Sequence, residues 1–422
     1  MKYKGLILSA FAMIPLQQLK AEVSEDVVSL NEKIEKMQRQ IDLLTANQKQ
    51  KNIEITTTRS TNPIKAYTFE KESTSDQTKL KFYGNVRVDA AYDFKGSTNS
   101  IGNKIGSQPL NNTDPIQNKL NVSAATSRFG IDITKPTSNG DLVGKLEADF
   151  MGSNGDNGNG SVRVRHAYLS LGNWLIGQTT SPFVNNSTAP NLVDFTGAIG
   201  TGTQRNVQVR YQQLINNKQK IQFALEGGDI ENDNVQGGSR FPALTMNYEL
   251  KNEKLLLQLH GMLHEVRAIS ETNNEQKELA WGAGLGAKLN LNANDSIVFN
   301  YYHVVGNNRY MSYSKDNDAF YYGEKGVVLS EFDSAEVGYM KKWNSKLRSS
   351  FSLGGIWYED NSLFSEFNPN QNKQLINASA NLLWQPIENV DFGMEYTYGQ
   401  RTTFSGMDGD LSRINLMTKY SF

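Results

Sequence analysis

The 422-residue chain contains no cysteine. Disulfides, thiolate metal sites and thiol chemistry are therefore excluded. Charge of one sign is also lacking, because 43 Lys and Arg face 44 Asp and Glu for a net charge of -1. That balance argues against a strongly basic nucleic-acid binder and leaves any electrostatic selectivity to local clusters. Beyond the N-terminal stretch, no apolar run is long enough to cross a bilayer as a helix. Histidine is scarce at 4 residues. His260 and His264 are spaced as ligands would be on a helix, but on a strand that spacing separates them by about 13 Å. Gly282, Gly284 and Gly286 alternate within a strand, so they lack the turn into a helix that a phosphate-binding fingerprint needs and suit a close-packed wall or subunit contact. Asp156-Asn-Gly-Asn resembles the start of a calcium loop but lacks the late Glu, and reads as a flexible loop. No serine with a neighbouring base stands out. No catalytic residue, cofactor or metal is expected.

What the chain has is short apolar-polar alternation, repeated through its last three quarters despite a mean hydropathy of -0.53. Alternate residues facing lipid around a polar lumen produce this weak, recurring signal. The stretch from Ser161 to Tyr211 shows it best. Arg163 and Arg165, two apart, fall on one face of a strand, with Val162 and Val164 on the other. Gly172-Asn173 suits a tight turn and Trp174 to Thr180 a second strand, after which Ser181 to Thr203 has no steady period. From Arg205 to Gln212 a third strand sets Val207, Val209 and Tyr211 against Asn206, Gln208 and Arg210. The two polar faces are read as lining one aqueous channel, with the inserted loop folding inward to narrow it.

Counted by alternation, residues 80–422 hold sixteen strands joined by alternating short turns and long loops. The expected fold is an all-β, 16-stranded antiparallel transmembrane β-barrel in the outer membrane. Trp281, Tyr301, Tyr302, Tyr339, Trp343, Trp357, Trp384, Tyr396 and Tyr398 are read as interfacial girdles. At the C-terminus, Ile414, Leu416, Thr418, Tyr420 and Phe422 share one face, and a terminal Phe with an aromatic two residues earlier resembles the assembly signal of such barrels.

The N-terminus predicts export. Lys2 and Lys4 precede an apolar stretch from Gly5 to Leu16, and Ala21 offers a cleavage position, giving a signal peptide over 1–21. Val23, Val27, Leu30, Ile34, Met37, Ile41 and Leu44 then mark a heptad seam, so 22–48 is expected to form a periplasmic α-helical coiled coil. Residues 49–79, rich in Thr, Ser, Lys and Gln, read as a flexible linker.

Within the lumen, Arg87, Arg128, Arg163, Arg165 and Arg210 all fall on polar strand faces in the first half of the barrel. Clustered guanidinium groups attract anions and grip carboxylates in two places. The alternative is that they pair with inward Asp89, Asp93, Asp132, Glu147 and Asp149, as in a non-selective general porin. A third possibility is a structural tether, in which the barrel anchors a coil bound to the cell wall. A trimeric autotransporter adhesin also combines coil with barrel, but its coil leads directly into a few C-terminal strands.

Arg163 to Phe183, Pro190 to Gly200 and Arg205 to Tyr211 together resemble the DcaP-like family of trimeric outer-membrane porins, which also carries an N-terminal periplasmic coil. Thr180, where the family often has Trp, and Ala198-Ile199, where a Pro is common, depart from that pattern in or beside the inserted loop. The resemblance implies a homotrimer of sixteen-stranded barrels with a three-stranded coil, passing small anionic solutes such as dicarboxylates by diffusion. It further implies that Arg163 and Arg165 hold the solute's carboxylates, that Arg128, Arg87 and Arg210 extend the path, and that Asp194 and Phe195 shape the opposite wall.

Overall fold

The computed structural model describes residues 78–422, apart from 112, 114–116, 153–159, 185, 228–235, 238, 270–274, 315–316, 324–325 and 361, together with residues 35–36, 39–40 and 68–70. The chain divides into two compact units, Met1–Thr61 and Asn62–Phe422. The signal peptide, most of the coiled coil and most of the linker expected from the sequence lie outside the described residues, as does the centre of the Gly/Asn-rich loop near Asp156. Within the expected coil, Glu35, Lys36, Arg39 and Gln40 are helical.

Sixteen antiparallel strands form the second unit. They are β1 (Lys79–Lys95), β2 in two pieces (Lys119–Ser123 and Arg128–Thr137), β3 (Gly140–Asp149), β4 (Arg163–Leu171), β5 (Trp174–Thr180), β6 (Arg205–Asn216), β7 (Gln219–Glu226) and β8 (Ala243–Lys251). The series continues with β9 (Leu255–Ile269), β10 (Glu275–Asn290), β11 (Asp295–Val305), β12 (Glu331–Lys342), β13 (Leu347–Tyr358), β14 (Asn372–Ile387), β15 (Val390–Thr403) and β16 (Asp408–Ser421). Each strand pairs with the next, and β16 returns to β1 from Asn85↔Ser421 to Asp93↔Arg413. The ring therefore closes. Closure matters because a strand edge in hydrocarbon would leave a row of amides with no partner. The last residue joins the seam, Phe422 and Gly84 exchanging two backbone hydrogen bonds of 3.0 Å.

The distribution of exposure is inverted relative to a soluble protein. Along β6, Val207 and Val209 are 62% and 43% exposed while Asn206 and Gln208 are 6% and 2% exposed. Arg413, Asp93, Asn300 and Ser334 are wholly buried, whereas Leu263, Phe299, Leu353 and Met394 stand open on the outside. Apolar side chains outside and polar groups inside are the pattern a bilayer demands of a barrel. Trp281, Tyr301, Tyr339, Trp343, Trp357, Trp384, Tyr396 and Tyr398 are all exposed, as girdle residues are. Tyr302 is not. Adjacent residues of a strand point to opposite faces, so with Tyr301 outside, Tyr302 turns inward and is fully buried against Phe183 and His260.

The linker also differs from expectation. Its Thr68–Glu70 forms a short strand in register with Lys79–Lys81. Three residues are too few to show alternation in a Thr- and Lys-rich stretch.

The interior is asymmetric. Phe183, Ile199, Tyr302, Tyr310, Met311, Phe332, Ile356 and Tyr358 form an apolar cluster between loops 181–204 and 306–330 and the wall from β9 to β14. Gly282 and Gly284 make room for it, since a Cβ at either position would come within 2.6 Å of the Phe183 ring or 2.3 Å of the Tyr302 ring. This is the close-packed wall that the alternating glycines suggested. The cluster fills one side of the lumen, and Tyr310, Met311 and Tyr313 at its edge border the cavity that remains.

The outer face supplies a test. Leu353, midway along β13, is 45% exposed. Leu353→Arg should destabilise the barrel by about 2–4 kcal/mol if it lies at the bilayer midplane. Urea unfolding in phospholipid vesicles measures this, and an unchanged midpoint would mean that this face does not meet hydrocarbon.

Candidate functional site

The open side of the lumen is a cavity of about 760 Å³. Among the described residues lining it are nine basic ones, Arg87, Lys104, Arg128, Arg163, Arg165, Arg205, Arg309, Arg348 and Lys419, and a single carboxylate, Asp194. Strand alternation explains much of the convergence. Arg87 on β1, Arg128 on β2, Arg163 on β4, Arg348 on β13 and Lys419 on β16 all occupy lumen-facing positions. Arg165 is set by a bulge: β4 pairs His166 with Glu147 and Val164 with Ala148, leaving Arg165 as the extra residue. A bulge lets two consecutive side chains face the same way. Arg165 and His166 consequently both enter the lumen, where His166 Nδ1 lies 2.9 Å from Thr179 Oγ1. Strict alternation from Arg163 would instead point His166 outward.

The arginines are held from behind by carboxylates. Asp149 receives both nitrogens of the Arg163 fork, at 2.9 and 2.7 Å, and Arg165 Nη1 at 2.9 Å. Glu147 accepts Arg165 Nε at 2.8 Å and the Tyr83 hydroxyl at 2.9 Å, with Arg128 Nε at 3.5 Å. Asp89 takes Arg87 through hydrogen bonds of 2.6 to 3.0 Å. Asp89, Glu147 and Asp149 are buried, while 40% of the Arg163 side chain is exposed. The acids thus fix the guanidinium groups without lining the cavity. Two other inward acids serve different partners, Asp93 binding Arg413 and Asp132 binding Lys145.

The loop from 181 to 204 crosses the lumen and is anchored along its whole course. Ser181 Oγ donates to Glu226 at 2.6 Å, Pro182 O lies 2.8 Å from His260 Nδ1, and Thr188 Oγ1 lies 2.5 Å from Asn300 Oδ1. At its tip, the Glu395 carboxylate accepts Val193 N–H at 2.7 Å and Asp194 N–H at 3.1 Å, and Arg87 donates to Val193 O at 2.7 Å. Where the loop meets β12, Gly200 has φ +88° and a Cβ would stand 2.6 Å from Ala335 O. Only glycine suits that contact.

Two more loops complete the narrowing. In loop 306–330, Tyr310 donates to Glu226 at 3.0 Å and Tyr313 to Gly197 O at 2.7 Å. In loop 96–118, Asn103 N–H donates to Asp194 Oδ2 at 2.8 Å.

The expected residues fall into three groups. Arg87, Arg128, Arg163 and Arg165 are brought together on one wall. Arg210 is not among the lining residues; its guanidinium donates to Gln208 Oε1 at 2.9 Å and to Thr180 O, and so braces the base of the loop. Asp194 and Phe195 border the same cavity as the arginines. The Phe195 ring lies under Arg87, 5.5 Å from centroid to Cζ. Asp194 is buried between Asn103, Thr196 and Arg413 and holds the loop's shape. Burial pushes the Asp194 carboxyl above its ordinary pKa, opposed by the Arg413 guanidinium and the N–H groups it accepts. The loop spans the whole lumen and its tip docks back on β1, β15 and β16. Alternation on β13 and β16 would have marked Arg348 and Lys419 as inward. Nothing local marks Lys104, Arg205 or Arg309, which depend on where loops and strand ends arrive. His260 and His264, both inward, bind different partners, and no metal-binding group of acids, histidines or cysteines occurs among the described residues.

The family model for the DcaP outer membrane protein matches residues 12–422. The chain belongs to this family. The outer membrane channel DcaP of Acinetobacter baumannii is 30% identical, with a TM-score of 0.75 over 82% of this chain and 97% of that one. At 12% identity and TM-score 0.54, the anion-selective porin of Comamonas acidovorans covers 82% of this chain and 100% of its own. OmpT of Vibrio cholerae in its trimer form, 13% identical with TM-score 0.53, covers 82% and 99%. These last two share the fold. No curated protein matches the chain. Family and barrel together make this DcaP-family protein an outer-membrane channel.

The latch at the loop tip is open to test. Glu395→Ala leaves two buried N–H groups without their acceptor, at a cost of about 1–3 kcal/mol each. Single-channel recordings should then show frequent conductance fluctuations absent from the wild type; a quiet trace of unchanged conductance would mean that Glu395 does not hold the loop.

Proposed function

We propose that the channel passes small anions, dicarboxylates foremost, by diffusion down their gradient. The observation that carries this reading is the cavity wall, where nine basic residues stand with one buried carboxylate. The balancing acids lie behind the arginines, so the face met by a solute is positive. Arg163, held by Asp149 through Nε and Nη2 yet 40% exposed, keeps Nη1 for a solute carboxylate, with the Arg165 charge beside it on the same acid. Two carboxylates on one solute would engage two points of such a wall. Each contact must stay weak, because a solute held tightly blocks its own passage. Association into a homotrimer, cleavage of residues 1–21 and a periplasmic coil over 22–48 belong to the same proposal, supported by the heptad seam and the family resemblance.

A general porin is the competing reading, favoured by the three carboxylates that counter the arginines of the constriction. Reversal potential in a planar bilayer under a KCl gradient separates the two. The wild type should be anion-selective, and Arg163→Gln/Arg165→Gln should move the potential most of the way to the non-selective value. Equal permeability to both ions in the wild type would sink the anion reading.

A further inference from the structure

Beyond the constriction, the cations continue toward the other end of the barrel. Their order follows from strand register. Arg163 is the first residue of β4 and adjoins a long loop. Cross-strand pairing runs from it through Asp149 to Arg128, and from Arg128 to Asn85 on β1. Arg87, two residues along β1, pairs directly with Lys419 on β16, which in turn pairs with Asp391 on β15. Barrel strands tilt, so a row followed from strand to strand also moves along the barrel axis. The row begins beside a long loop and ends three residues from the C-terminus, beside the short turn 388–389. Short turns face the periplasm in barrels of this kind.

At that lower end Arg348 Nη2 donates to Asp391 Oδ1 at 2.8 Å, and Lys419 Nζ lies 3.1 Å from Asp391 Oδ2. Two cations share one carboxylate. Asp391 is only 5% exposed, whereas both cations reach the cavity and keep about 30% of their side chains exposed. The group thus presents one surplus positive charge at the mouth opposite Arg163.

We propose that Arg348 and Lys419, set by Asp391, form an exit station for carboxylate solutes, separate from the constriction arginines. It rests on the anion-channel reading above. A solute leaving Arg87 meets Lys419 on the adjoining strand, so its charge is handed on before it is released to the periplasm. A second weak site also speeds release by repulsion between successive anions. The pair serves as the first contact for anions entering from below.

The test uses the full-length protein in planar bilayers with succinate added to one side at a time, counting interruptions of the KCl current. Arg348→Gln/Lys419→Gln takes the group from one positive to one negative charge and should lower the succinate association rate about thirtyfold from one side only, as loss of two unit charges at contact distance implies. Arg163→Gln should lower it from the opposite side. Asp391→Asn, which removes the acid and keeps both cations, should raise the rate on the side that the double variant lowers. Rates unchanged in the double variant, or reduced equally from both sides, would overturn the exit station. A wild type without anion preference in its reversal potential would instead overturn the underlying anion reading.

Discussion

In hydrocarbon an amide has no water to turn to, and every other feature of this protein follows from that constraint. A sheet can satisfy it only by closing on itself. The seam between β1 and β16 therefore carries as much structural weight as any apolar contact, and it is continued to the last residue by the reciprocal bonds of Phe422 and Gly84. Closure then imposes the inverted side-chain pattern, with valines, leucines and aromatics outside and asparagines, serines and charges within.

A barrel lined with polar groups would be a wide hole. Its bore is reduced by loop 181–204, whose backbone is joined at its base from Ser181 N–H to Gln204 O and makes a few tight turns, and is otherwise bound by the wall. Glu226, Asn300, Glu395 and Asn381 each reach inward to a different point of that loop. Anchors at so many separated strands hold the loop more tightly than hydrogen bonds at its two ends could. The apolar cluster of Phe183, Tyr302 and Tyr310 adds packing on the same side.

On that wall the acids and bases have distinct tasks. Buried Asp89, Glu147 and Asp149 accept the guanidinium forks and fix their orientation, while the arginine surfaces turned away from them meet the solute. Such pairing keeps the local net charge modest, consistent with weak, rapid binding, and keeps long side chains from collapsing across the opening.

Alternation of period two is a local property, so the strands, their outward faces and the inward placement of Arg87, Arg128 and Arg163 were legible in the sequence. The long unpatterned stretch after Thr180 likewise announced an inserted loop. Neither signal could say where that loop lands, and so Asp194 and Phe195 were expected across from the arginines while the folded chain sets Phe195 against Arg87. Nor could alternation reveal the bulge at Arg165, which exists only as a mismatch between two paired strands and alone brings His166 inward. Arg210 kept its predicted face yet spends its donors on Thr180 and Gln208. Which faces meet lipid was thus determined by residue order, because neighbouring side chains on a strand must point opposite ways. Which charges meet one another was decided by closure and by three loops folding inward, because those contacts join residues up to some three hundred positions apart.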